Sequence, residues 1–289
     1  MNPPADGSQG HRLGRRTAAS DNLGEMTDQL TMRLEPRLPK LPSGLRPMLA
    51  RALPDAFDSM EHLFEPMWGG ARALALIGPA DAPGGGDVML VAEDGTQSPA
   101  PLDLAGLAMR VEARSAVLDG EVVVVDADGR LDRDELARRL SGATGRPLSF
   151  LAFDLLHLDG RSLLGLPLDR RRQLLRQVLR PGDEVVAVPS IVTEGRALFE
   201  AVTGQGLYGI RARQHASPYL PGVRSRLWRT VAVAGAAGVV PTGLPGGNGA
   251  EGSGETDDAL EPATGHSEPV LALIRRLPLE FEDEDRDVS

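Results

Sequence analysis

The feature that most constrains the fold is an alternation, from Leu45 to about Ala234, of short strand-like runs with longer helical ones. Residues 87–92, 116–126, 148–158 and 184–189 are apolar and rich in valine, leucine and phenylalanine. Residues 102–114, 132–140, 168–179 and 194–204 instead space their apolar residues as a helix does. Asp94-Gly95 and Asp128-Gly129 are tight-turn signals following strands. Asp169-Arg170-Arg171-Arg172 opens a helix whose Leu168, Leu174, Leu175 and Leu179 form one apolar face. This pattern predicts an α+β domain over residues 43–234, long enough to bury a core of its own.

The flanks read differently. Residues 1–42 are polar, broken by proline and glycine, and predict a disordered arm. Residues 235–254 have the Gly/Ala/Pro composition of a flexible linker. It leads to an amphipathic stretch at 268–277 and the acidic run Glu280-Phe281-Glu282-Asp283-Glu284-Asp285. The net charge of −10 is concentrated here. Residues 235–289 carry 3 basic and 12 acidic groups, whereas residues 43–234 carry 22 and 24. The central domain is thus near neutral, and overall charge says little about nucleic-acid binding.

Several chemistries are disfavoured at the outset. With no cysteine there is no disulfide framework or Cys-based zinc site. His11, His62, His157, His215 and His266 lack metal-ligand spacing and suit surface or turn roles, so no metal site is expected. The N-terminus lacks the order of a signal peptide, and no apolar run reaches the roughly 18–20 residues needed to span a bilayer. The expectation is a cytoplasmic protein with no membrane partner.

The segment Phe64-Glu65-Pro66-Met67-Trp68-Gly69-Gly70-Ala71-Arg72, followed by an apolar strand at 73–77, resembles the nucleophile motif Glu-x-Lys-x-Asp-Gly-x-Arg of ATP-dependent DNA ligases. Further segments resemble the same family, in motif order and spacing, over roughly residues 45–233. Pro47-Met48-Leu49-Ala50 is similar to the entry to the domain. Leu118-Asp119-Gly120-Glu121 is similar to the motif whose glutamate contacts the ribose and supports metal binding. Ala152-Phe153-Asp154-Leu155-Leu156 is similar to the strand whose phenylalanine stacks on adenine. The stretch from Ser217-Pro218-Tyr219 through Pro221-Gly222, Arg224-Ser225-Arg226 and Trp228 is similar to the segment entering the last motif. The resemblance implies a ligase-type nucleotidyltransferase (ATP-grasp-like) adenylation domain of the bacterial end-joining type, with antiparallel sheets flanked by helices. It also implies ATP and Mg²⁺ as the family's cofactors and DNA repair and recombination as its role. About 55 terminal residues of the composition above do not read as the family's OB-fold, so no OB-fold domain is expected.

The departures cluster where the chemistry should be. Met67 stands where the family has its lysine, and a thioether cannot form the phosphoramidate that carries AMP. The one lysine in the chain, Lys40, precedes the domain. Gly69 replaces the motif's aspartate, and Ala92-Glu93-Asp94-Gly95 puts an anion where the family has arginine. Tyr208-Gly209-Ile210-Arg211-Ala212-Arg213 replaces Glu-Gly-x-Val-x-Lys, and Trp228-Arg229-Thr230-Val231-Ala232 lacks both closing lysines. Against the family pattern, cations are lost at 67, 93, 230 and 232, while Arg72 stays and Arg213 substitutes. Adenylyl transfer depends on such cations, with Mg²⁺, to neutralise charge on the leaving pyrophosphate.

Glu65, Arg72, Glu121, Phe153 and Arg213 are therefore vestigial nucleotide-binding candidates, and Met67 is expected to fill the vacated pocket. Phe153 lies in a continuous apolar run, where core packing outweighs stacking. Glu121 either retains a metal or ribose contact or pairs with an arginine, and Tyr208 either plugs the old metal site or faces solvent. Arg211, Arg224, Arg226 and Arg229 are DNA-binding candidates; the alternative is a solvated face with local ion pairs. The expected function is that of a ligase-family homologue without catalytic activity and with no cofactor of its own. The alternatives are a DNA-binding repair accessory, contacting duplex weakly and non-specifically, and a scaffold that binds a protein partner through its C-terminal tail.

Overall fold

The computed structural model describes residues 38–235, and these build two sheets with short helices on their outer faces. The first sheet contains β1 (Leu49–Ala52), β2 (Ser59–Met67), β10 (Ile191–Thr193), β11 (Gly209–Gln214) and β12 (Arg224–Ala232), in the order β1-β12-β11-β2-β10. The second contains β3 (Ala71–Ile77), β4 (Val88–Ala92), β5 (Gln97–Pro99), β6 (Ala116–Val123), β7 (Ser149–Leu158) and β8 (Arg161–Ser162), in the order β5-β4-β3-β6-β7-β8. A further strand, β9 (Val185–Ala187), lies parallel to β7. Apart from that pair and β1 with β12, the strand pairs are antiparallel.

Alternation along β6 and β7 divides the apolar side chains among three clusters. Leu118, Val122, Phe150, Ala152 and Leu155 face α1 (Leu102–Ala105), α2 (Arg133–Leu140) and α3 (Leu168–Val178), meeting Leu104, Leu136 and Leu175. Val123, Leu151 and Phe153 point to the other side and belong to a second cluster, which extends to Phe64, Ile210, Ala212 and Val231 of the first sheet, while Val117 and Leu156 join a third with Met48, Tyr219 and Trp228. Leu198 and Val202 of α4 (Gly195–Gly204) close the second cluster. Helix α2 begins where its sequence says it should, because the Asp132 carboxylate accepts the Glu135 N–H at 2.9 Å.

The structure changes several boundaries. The helix expected over 102–114 is one short turn, α1, followed by a 3₁₀ turn over Gly106–Arg110. Its periodicity misleads because Leu102 and Met109 are exposed, and Gly106 is a poor helix former just past the first turn. The strand read over 116–126 ends at Val123, and the run at 184–189 yields only the three residues of β9. The outer parts of the N-terminal arm and C-terminal tail, including the stretch at 268–277, lie outside the described residues. Among the described residues no helix is long and apolar enough to cross a membrane.

Two buried histidines give the fold a pH dependence. Burial holds His62 below the usual imidazole range; Arg229 and His215 add to this, and Glu61 opposes it. Burial does the same at His157, against Asp159. A base with a depressed folded pKa stays neutral in the native state, while the unfolded chain takes up protons below about pH 6.5. The unfolded state then binds more protons, so stability present above that pH is lost as pH falls through it. The urea midpoint should decline between pH 7 and pH 5; a flat or rising midpoint would contradict this assignment.

Candidate functional site

Where the two sheets meet, the motif residues converge on the ring of Phe153. The ladder between β6 and β7 slips here: Gly120 pairs with Ala152 and Asp119 with Asp154, leaving Phe153 as an extra residue. Freed from the ladder, the Phe153 carbonyl accepts hydrogen bonds from Arg172 at 3.0 Å and Arg213 at 2.7 Å. Three guanidinium carbons surround the ring, those of Arg211 at 4.1 Å, Arg72 at 4.6 Å and Arg213 at 5.0 Å from its centroid. Phe153 is wholly buried, so neither face is open.

Each arginine is matched to a carboxylate. Arg72 forms a two-pronged pair with Asp119, both contacts 2.7 Å, and Asp119 also accepts the Tyr219 hydroxyl at 2.7 Å. Burial opposes the charge on Arg72, but Asp119 outweighs it and holds the guanidinium above its usual range. Burial and Asp119 together push the Tyr219 hydroxyl well up, keeping it a donor. Arg171 grips Asp154 with two 2.8 Å contacts, and neither side chain is exposed. Arg213 bridges Asp154 at 3.3 Å and Glu65 at 2.5 Å. Glu65 also takes Arg172, whose pKa burial pushes down to about 10. Arg211 pairs with Glu121, and burial lowers its pKa despite that partner.

Met67 is buried at the end of β2, paired across the sheet with Gly209, and its carbonyl accepts the Tyr208 N–H at 3.0 Å. Glu65, Arg72, Glu121, Phe153 and Arg213 are brought together, linked to one another through ion pairs and ring contacts. Glu121 pairs with Arg211. Arg211 requires a correction: expected among DNA-facing residues, it is buried against Glu121 and cannot reach a phosphate without breaking that pair. Of the remaining cluster, Arg224 and Arg226 are exposed and Arg229 is half-buried. Arg51, unremarked in the sequence, is exposed and cross-strand from Arg229.

Sequence reasoning also missed Arg171 and Arg172, which it treated as part of a charged helix start. The signal was present: Leu168, Arg171, Arg172, Leu175 and Leu179 follow helical core spacing, so two arginines occupy core positions. Among the described residues, no group of three His, Cys, Asp or Glu side chains converges as a metal site would require.

Two departures from the motif prove to be one. Tyr208 lays its ring against Gly69, where an added Cβ would sit 2.7 Å from the ring. Gly69 also has φ +78°, a conformation that favours glycine. Gly69→Asp should therefore cost about 2–4 kcal/mol through backbone strain and overpacking. Tyr208→Ala should remove the ring's part of the clash, leaving only the Tyr208 Cβ at 3.0 Å, and so make the pair non-additive in a double-mutant cycle of urea unfolding. Additive effects, or a Gly69→Asp protein as stable as the parent, would contradict this coupling.

Comparison with known proteins places these features in a family. Residues 96–231 match the family model described as the ATP dependent DNA ligase domain. The multifunctional non-homologous end joining DNA repair protein LigD of Mycobacterium tuberculosis is 31% identical over 267 residues, covering 84% of this chain and 33% of that protein. DNA ligase C1 of Mycolicibacterium smegmatis is 36% identical over 208 residues, covering 62% of this chain and 54% of that protein. The chain thus spans between a third and about half the length of these relatives. Among solved structures, mycobacterial DNA ligase D complexed with ATP and MES aligns with a TM-score of 0.56 at 30% identity, covering 65% of this chain and 60% of that one.

Proposed function

Since this chain is built around an ATP-dependent DNA ligase adenylation domain of the bacterial end-joining type, we propose that it is a member that no longer forms the covalent AMP intermediate. In this reading it persists as a non-catalytic module touching duplex DNA. One observation carries the first part: the Arg211 guanidinium lies 4.1 Å from the Phe153 centroid and is paired with Glu121. In the family's pattern Phe153 and Glu121 are the residues that hold adenine and ribose. A nucleotide would have to displace a buried, ion-paired side chain and would then meet Met67, which has no amine. Residues that could help hold ATP and Mg²⁺ are present, but they are already engaged with one another.

ATP is accordingly expected to bind with a dissociation constant of roughly millimolar or weaker, about −4 kcal/mol or less favourable. Calorimetry with and without Mg²⁺ measures this, and micromolar Mg²⁺-dependent binding would refute the filled-site reading. DNA contact is supported by Arg51, Arg224 and Arg226, which are exposed, and by half-buried Arg229, all on the adjoining strands β1 and β12. By strand alternation Arg224 and Arg226 share one face of β12, and such a pair suits phosphate contacts, which give weak, sequence-independent and salt-sensitive binding. Arg224→Ala with Arg226→Ala should weaken duplex binding in a low-salt mobility-shift assay and flatten its salt dependence. If neither parent nor variant shifts duplex, the DNA role falls while the filled-site reading stands.

A further inference from the structure

The site as it now stands suits a ligand other than a nucleotide. A wholly buried aromatic ring lies next to the Arg211–Glu121 pair, in which one Glu121 oxygen takes the Gly70 N–H at 3.2 Å and the other takes Arg211. An aromatic ring beside a carboxylate is the chemistry that recognises a planar delocalised cation. We propose that the site has become a receptacle for a guanidinium group, and that its resident ligand is the chain's own Arg211. This rests on the reading that no nucleotide occupies the site.

The selectivity follows from the partners that remain when Arg211 is set aside. Glu65, Asp119 and Asp154 keep Arg72, Arg171, Arg172 and Arg213, whereas among the described residues the ion pair of Glu121 is with Arg211, its cross-strand neighbour Arg72 being committed to Asp119. Removing Arg211 leaves a desolvated carboxylate facing an aromatic surface. A neutral base offers that carboxylate no charge, and a triphosphate adds repulsion. A free guanidinium restores both the stacking and the pairing. A primary ammonium restores the charge without the plane.

The experiment is chemical rescue of full-length Arg211→Ala, read as the thermal unfolding midpoint. In 20 mM methylguanidinium chloride the variant's midpoint should rise by at least about 2 °C relative to equal sodium chloride. The parent's midpoint should not rise, methylammonium should rescue less, and adenosine should not rescue. Adding Glu121→Gln to the variant should abolish the rescue, an outcome that mere cavity filling would not produce. If Arg211→Ala does not fold, Arg211→Gln, a shorter polar side chain without the charge, is tested in the same way. Equal rescue by sodium or methylammonium, rescue by adenosine, or rescue that survives Glu121→Gln would each overturn the proposal. Tight ATP binding by the parent would instead overturn the filled-site reading beneath it.

Discussion

Asp154→Ala should lower the unfolding free energy by about 3–5 kcal/mol, because it leaves the Arg171 charge buried without its carboxylate. Both side chains are fully buried, and Arg213 loses one of its two carboxylates in the same step. Against a total stability of about 5–15 kcal/mol, a loss of this size leaves the domain marginal or unfolded at 37 °C. Water has no ready access to rescue the orphan, although the Leu166 and Ser217 carbonyls, at 2.6 and 2.9 Å, still accept from Arg171. Replacing both partners, Asp154→Leu with Arg171→Met, should cost less than Asp154→Ala alone, since the Arg171 charge is then not stranded, while Arg213 keeps Glu65. Exposed Arg224→Ala should change stability by no more than about 0.5 kcal/mol. Urea unfolding with a shared m-value separates these cases. A loss below about 1 kcal/mol for Asp154→Ala would mean the network contributes little.

The second large effect is a failure to recover. Met67→Lys restores the motif's nucleophile, yet adenylation is expected to remain undetectable. The amine would enter a buried position at the end of β2, while Arg211 still covers Phe153 and Tyr208 still packs over Gly69. Catalytic groups that act as a unit are non-additive, so returning one while its partners are missing restores little. Measurable label transfer by Met67→Lys alone would show that the remaining departures are tolerated and that Arg211 moves aside readily.

The sequence carried the architecture of the second sheet better than that of the first. Strands β3, β4, β6 and β7 are apolar runs buried on both faces, and they announce themselves. Strands β1 and β10 have only four and three residues, and β2 contains Pro66, so neither length nor composition marks them. The misplacement of Arg211 has a related cause. Strand β11 lies between β2 and β12, inside a sheet, and five of its six residues are buried. A run reading Arg-x-Arg suggests a solvated face only on a strand that has one. The matching of five arginines to four carboxylates joins residues up to 148 positions apart, and no local pattern reports such pairing. Met67, by contrast, was legible at once, because a motif fixes which side chain its position requires.

The most direct test of the central claim is incubation of the purified parent chain with Mg²⁺ and ATP labelled at the α-phosphorus, followed by a denaturing gel. A ligase-family domain able to take its first step retains the label as lysine-linked AMP. The filled site and Met67 predict no labelled band, even at high protein concentration and long incubation. A band that survives denaturation and maps by mass spectrometry to this chain would contradict the account.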